Sequence, residues 1–276
     1  MYFKNRARTI GQFSRQFSRY SELTDPILRR EKLSESQMRD ELFLSKLLGR
    51  DIKGLRIAEI GAGTGRWTLL LAEMAPKNFL VIEPSDGIRT IRNQVVMRFP
   101  AIDWVLRQEQ VADQISFQAD LAIAVGVLHH IEDAQFALQT WHGLLAKRGE
   151  LVLWVYQKQS KVALTTVTVV RGVCKLLPDS LIAVVARSIS KVLVVYSGLP
   201  KGLATRLPYL EYCQNNFLSK SPEDRELTIF DQLRPQIAEY YSAEEMMQMC
   251  LNAGFHHVVT ERDGQAGLIV RCKVSV

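Results

Sequence analysis

Residues 58–66 read Ala-Glu-Ile-Gly-Ala-Gly-Thr-Gly-Arg, and this short run restricts the fold more than any other part of the chain. The apolar run Leu55–Ile60 before it predicts a strand. Residues Thr64–Ala75 after it predict a helix, which Pro76 stops. Gly61, Gly63 and Gly65 therefore fall on a strand-to-helix turn, where open α/β sheets bind ligands. Glycines there permit positive φ and let a ligand approach the main chain with no Cβ in the way. The turn is not a nicotinamide fingerprint, because the third glycine of G-x-G-x-x-G would stand at Arg66. It is not a phosphate-binding P-loop either, since no Gly-Lys-Ser/Thr follows.

The rest of the chain supports an α/β reading. Short apolar runs at Phe79–Glu83, Ile102–Leu106, Leu121–Gly126 and Leu151–Tyr156 alternate with helical segments at Ser85–Arg98 and Ala134–Ala146. The Lys147-Arg148-Gly149 run predicts the end of the second of these helices. Apolar strands alternating with helices imply a parallel sheet covered on both faces. The rhythm breaks between Gln157 and Tyr241 and returns at Ser242–Ala253, where Ser242 and Glu245 have the spacing of a capping box. Two last strands, about Phe255–Glu261 and Leu268–Lys273, flank a turn at Asp263-Gly264 and predict an antiparallel hairpin. The fold class expected is α/β: a Rossmann-like, seven-stranded, mostly parallel sheet with an antiparallel last strand. Three parts follow. They are an N-terminal helical extension (1–50), a core (51–156 and 242–276) and a helical insertion after strand five (157–241).

The E-x-G-x-G-x-G pattern from Glu59 to Gly65 resembles motif I of class I S-adenosylmethionine (SAM)-dependent methyltransferases. Further segments agree. Val81-Ile82-Glu83-Pro84-Ser85 places an acid at the end of strand two. Gly126-Val127-Leu128-His129-His130 ends strand four. Ala253-Gly254-Phe255 precedes the hairpin. The resemblance covers roughly Leu55–Tyr156 and Ser242–Lys273. It implies SAM as cofactor, with Glu59, Gly61, Ala62, Gly63 and Gly65 around the methionine moiety and Glu83 with Pro84 at the ribose. Arg66 and Trp67 would line the same cleft, Gln108 and Glu109 the adenine edge, and Gly126 and Val127 the methyl side. SAM carries an activated methyl, so the protein mainly has to align acceptor, methyl carbon and sulfur and exclude water. A histidine at position 129 or 130 has a pKa suited to deprotonating a hydroxyl acceptor; the alternative is that both fill space or cap the next helix. The insertion is where acceptor selection is expected, with Tyr240 and Tyr241 as substrate candidates.

The acceptor expected is a small molecule or glycan methylated on oxygen. The alternatives are C- or N-methylation of a lipid- or quinone-like acceptor, and a non-catalytic SAM-binding partner subunit. No ligand set for a metal is visible. No Asn/Asp-Pro-Pro-Tyr motif or aromatic-basic stripe points to nucleic acid. Four cysteines with no C-x-x-C pair fit a reducing compartment, so a cytoplasmic location is expected. No apolar run reaches the roughly 18 residues of a membrane span, yet the apolar insertion with Arg187 and Lys191 suggests peripheral membrane contact. The net charge of +6 is concentrated near the N-terminus. Ile10, Phe13, Phe17 and Tyr20 fall near helical spacing there and suggest a helix with a buried apolar side.

Overall fold

The computed structural model describes residues 9–16, 34–109, 116–158, 169–174, 176–200, 210–214, 222–233, 237–264 and 267–275. Among these, seven strands form one sheet: β1 (Arg56–Ile60), β2 (Asn78–Ile82), β3 (Asp103–Arg107), β4 (Ala119–Val125), β5 (Leu145–Tyr156), β6 (His256–Asp263) and β7 (Gly267–Lys273). Their order is β3-β2-β1-β4-β5-β7-β6. β3, β2, β1, β4 and β5 run parallel, and β7 is antiparallel to both β5 and β6. From β1 the chain builds the sheet one way to β2 and β3, then returns to build the other way from β4. The C-terminal ends of β1 and β4 thus flank a switch point, the usual ligand crevice of open sheets.

The helices, in chain order, are α1 (residues 9–16), α2 (Ser34–Leu48), α3 (Arg66–Glu73), α4 (Gly87–Thr90), α5 (Ala134–Gly143), α6 (residues 169–174), α7 (Asp179–Ser197), α8 (Leu210–Cys213), α9 (Pro222–Leu233) and α10 (Ala243–Asn252). The chain divides into two compact units, one of residues 1–158 with 237–276 and the other of residues 159–236. The first contains the sheet; the second contains α6 to α9.

Successive residues of a strand face opposite sides, and both sides of this sheet are covered. Ala58, Ile60, Leu80, Ile82 and Leu153 join one core with Trp141 of α5 and Met246 and Cys250 of α10. Ile57, Phe79, Val81 and Val152 join the other with Leu44 and Leu47 of α2 and Leu71 of α3. This accounts for strands that read as unbroken apolar runs. The last turn of α2 is held to the sheet by Arg271, whose guanidinium donates to the carbonyls of Lys46 at 2.6 Å and Leu47 at 3.2 Å. Those carbonyls have no partner within the helix. The capping box at Ser242 and Glu245 forms in both directions.

Three local expectations are corrected. The helix expected through Ala146 stops at Gly143, and Lys147, Arg148 and Gly149 lie inside β5 as a bulge. The Ala119 N–H donates to the Leu144 carbonyl at 2.8 Å, so the sheet captures the chain before the helix can continue. A Cβ on Gly149 would meet the carbonyl oxygens of Ala146 and Ala119 at 2.8 and 2.9 Å, which explains the glycine. The helix expected over Ser85–Arg98 begins at Gly87 and passes into a π-turn at Ile91–Val95 and a 3₁₀ turn at Val96–Arg98. In α1, Ile10 and Phe13 are only half-buried, and the most buried residues are the polar Thr9, Gln12 and Gln16. Phe17 and Tyr20 lie outside the described residues.

Candidate cofactor and active site

The turn after β1 is tied to the end of β2. The Gly61 N–H donates to the Ile82 carbonyl at 2.7 Å, and the Gly63 N–H donates to Glu83 Oε2 at 2.7 Å. Gly61, Gly63 and Gly65 have φ of 72°, 60° and 100°. A Cβ on Gly61 would stand 2.4 Å from Val127 Cγ2, and one on Gly65 would stand 2.8 Å from Ile91 Cγ1. The two glycines thus let the turn lie against the end of β4 on one side and the π-turn on the other. Gly87, which the sequence reading passed over, is as constrained: its Cβ would meet the Gly63 carbonyl oxygen at 2.1 Å. The glycine turn and the loop after β2 are therefore packed main chain against main chain.

Two carboxylates stand at the strand ends. Glu83 is 5% exposed, and its other oxygen, Oε1, accepts from the Ser85 N–H at 2.8 Å. Burial raises its pKa, opposed by the hydrogen bonds from Ser85 and Gly63. Glu59 is 3% exposed, and its Oε2 makes no hydrogen bond among the described residues. Burial pushes the Glu59 carboxyl up to about 8; the Thr68 hydroxyl acts against the shift and the Glu83 charge adds to it.

Of the other cofactor candidates, Ala62 is buried in the core behind the turn and Pro84 is half-buried beside Glu83. Gln108 donates through Nε2 to the Ser85 carbonyl at 3.4 Å, which places it beside the acid of β2; Glu109 follows it, half-buried. Gly126 has φ 75°, and no atom stands within 4 Å of where its Cβ would be. Arg66 and Trp67 are turned to α2. The Arg66 guanidinium forms a two-point ion pair with Asp40, with Nε 2.7 Å from Oδ2, and lies 4.6 Å over the Trp67 ring, which packs on Phe43.

Beyond Val127 the chain forms a 3₁₀ turn, Leu128–His130, with both histidines buried. Their Nδ1 atoms have opposite roles. His129 Nδ1 accepts from the Tyr156 N–H at 3.3 Å, so the ring hydrogen is on Nε2. His130 Nδ1 lies 2.7 Å from the Ile237 carbonyl oxygen, which only accepts, so Nδ1 carries a hydrogen and the neutral ring has its lone pair on Nε2. The His129 ring stacks on Tyr156 at 3.8 Å between centroids, and Tyr156 stacks on Tyr240 at 5.6 Å. Residues 237–241 are stitched over the end of β5. Glu239 donates to the His129 carbonyl and Tyr241 to the Tyr156 carbonyl, both at 2.9 Å, while Lys158 donates back to Tyr241. Tyr240 thus belongs to the aromatic stack. The Tyr241 side chain is part of the core, and burial pushes its phenol further up.

Helix α1 lies against both walls of the crevice. Phe13 meets the His130 ring edge-on at 5.3 Å, and Ser14 Oγ accepts from the Asp86 N–H at 3.4 Å. Its neighbours there include main-chain amide and imidazole, which fits a helix that buries polar residues. Tyr156, Gly87 and the Ile237 carbonyl were absent from the sequence reading. A tyrosine ending a parallel strand was the available signal for the first, and a glycine four residues after the Glu83 acid for the second.

These features fit SAM. The unbonded buried oxygen of Glu59 would face the cationic methionine end, the main chain of Gly61–Gly65 would lie beneath it, and the open side of Gly126 leaves room for it. Each Glu83 oxygen, already holding one N–H, keeps a second lone pair for a ribose hydroxyl. No group of His, Cys, Asp and Glu able to hold a metal occurs among the described residues.

Comparison with known proteins agrees. Residues 58–151, a third of the chain, match the family model of a methyltransferase domain. A search of curated protein sequences returned no match. Magnesium protoporphyrin IX methyltransferase from Synechocystis PCC 6803, solved with bound S-adenosylhomocysteine, shares the fold with a TM-score of 0.55 at 12% identity. The match covers 98% of this chain and 100% of that one. The same enzyme with bound SAM gives 0.53 at 10% identity, over 98% and 97%. Residues 58–151 thus form a methyltransferase domain, and the glycine turn, the paired strand-end acids and the sheet order give the chain the fold that SAM-dependent methyltransferases share.

Proposed function

We propose that the chain methylates a hydroxyl oxygen of a small-molecule or glycan acceptor, with His130 as general base and His129 as a neutral positioning residue. The observation that carries this reading is the contrast between the two Nδ1 contacts, one to a carbonyl and one to an N–H. His130 gives its Nδ1 hydrogen to the Ile237 carbonyl and so presents an Nε2 lone pair, the arrangement a general base needs. His129 has its Nδ1 lone pair engaged by the Tyr156 N–H, and its other nitrogen carries hydrogen, so it has no lone pair to accept a proton. Its stacking on Tyr156 fixes the turn that holds His130.

SAM supplies an electrophilic methyl on a sulfonium. Held by the glycine turn and the acids Glu59 and Glu83, it would supply that methyl to the acceptor oxygen and depart as the neutral thioether. The acceptor O–H proton goes to His130 Nε2 and then to solvent. Tyr240, at the outer end of the aromatic stack, is the residue we assign to the acceptor ring.

The test is transfer of labelled methyl from SAM into a fractionated metabolite extract. His130→Ala should lower turnover by about 10²–10⁴-fold and remove the acidic limb of the pH profile, with SAM affinity unchanged. His129→Ala should lower turnover while keeping that limb. Unchanged turnover in His130→Ala would exclude the histidine base.

A further inference from the structure

We infer that α7 docks the protein on an anionic lipid surface. This goes beyond the methyl-transfer reading and does not depend on it. One side of α7 faces its own unit, with Ile182, Ala186 and Ser190 buried. The opposite side carries Leu181, Val184, Val192 and Val195, with Val192 67% and Val195 75% exposed. These four recur at spacings of three, eight and three residues and fall on one stripe of a helix with 3.6 residues per turn. Only Ser188 interrupts the stripe. Val169 and Leu176, just before the helix, are 62% and 85% exposed. Soluble proteins seldom leave so many large apolar side chains in contact with water along one element without a partner for them.

Charge identifies that partner. Arg187 and Lys191, four residues apart, flank the apolar stripe on one side, and both are exposed. Arg187 is paired at two points with Glu226, at 3.0 and 3.4 Å, so the charge beside the stripe that faces outward is that of Lys191. From Lys161 to Pro200 the sequence holds five basic residues and one acid, Asp179; of the five, Arg171 is buried and donates to the Gln232 carbonyl. A second copy docking by the same stripe would bring these like charges together across a two-fold axis. An anionic bilayer instead opposes them with phosphate while the valines enter the acyl boundary, as interfacial helices do. The helix lies on the surface rather than through it: no described helix is long and apolar enough to cross a membrane.

The experiment is co-sedimentation of the full chain with vesicles of phosphatidylcholine alone and of phosphatidylcholine mixed with phosphatidylglycerol. Binding is expected to the mixed vesicles, weakening as salt rises, and to be slight with phosphatidylcholine alone. Val192→Asp/Val195→Asp should weaken it roughly tenfold or more. Lys191→Glu, at an exposed site that leaves the fold intact, should do the same. Helical circular dichroism of the full chain should be unchanged in both and reports that α7 is kept. If the double variant loses helical signal, Lys191→Glu alone decides. Three results would overturn the inference: no binding of the unaltered chain to either vesicle, equal binding of the Lys191→Glu chain, or a concentration-dependent dimer that the valine variant abolishes without any vesicle binding.

Discussion

Glu83 engages both carboxylate oxygens with main-chain N–H groups, whereas Glu59 keeps Oε2 without a hydrogen bond. That difference makes Glu59 the more sensitive reporter of pH. Its ordinary pKa is 4.5, and in the fold burial lifts it to about 8. Below pH 4.5 the carboxyl is protonated in both folded and unfolded chains and is no burden on folding. Between 4.5 and 8 the unfolded chain sheds the proton and the folded chain keeps it, so stability falls as pH rises and levels off above 8. The raised pKa of Glu83 adds a slope of the same sign. Thermal melts of the ligand-free chain should show this decline, and Glu59→Gln should flatten part of it. SAM reverses the balance: its cationic methionine end favours the carboxylate, so binding should release a proton near neutral pH. Calorimetry in buffers of different ionisation enthalpy reads that release directly, and a buffer-independent heat would argue against Glu59 facing the cation.

Among the elements, the strands were legible because a parallel strand covered on both faces must be apolar at nearly every position. The glycine turn and its two acids were legible for a related reason, since positive φ and a close main-chain approach leave little choice of residue. The Lys147-Arg148-Gly149 run was misread because a basic pair followed by glycine suits a helix end and a strand bulge equally; pairing with Ala119 decides between them. The histidine tautomers could not be read, for they depend on partners 27 and 107 residues away that the sheet brings together. Two glycines at this level respond to different degrees to the same change. Gly126→Ala places a methyl in open space at φ 75°, costing about 1–2 kcal/mol of backbone strain and leaving the fold, but the methyl occupies the hollow and should weaken SAM binding at least tenfold. Gly87→Ala sets a methyl against the Gly63 carbonyl and should lower the melting temperature further as well as affinity. Urea melts alongside calorimetry separate the two, and equal stability losses would show that the contact between the turns has been misassigned.

At the scale of the molecule, the chain leaves the sheet after Lys158 and returns at Ile237, and the two crossings are joined. Gln157 bridges Tyr241 as a parallel pair, and Lys158 and Tyr241 share a main-chain hydrogen bond of 2.9 Å. Replacing residues 159–236 by a short Gly-Ser linker should therefore leave a folded, SAM-binding first unit. Circular dichroism and calorimetry would show it, and an unfolded product would mean that the sheet depends on the segment removed. The stitch has a consequence for how such a chain diversifies. Because traffic in and out of the sheet passes one doorway, the segment beyond it behaves as an exchangeable cassette: successive versions can be lengthened, shortened or swapped without retuning strand register or the grip on the nucleoside. Changes confined to that one contiguous stretch of gene then leave the methyl donor's seat untouched.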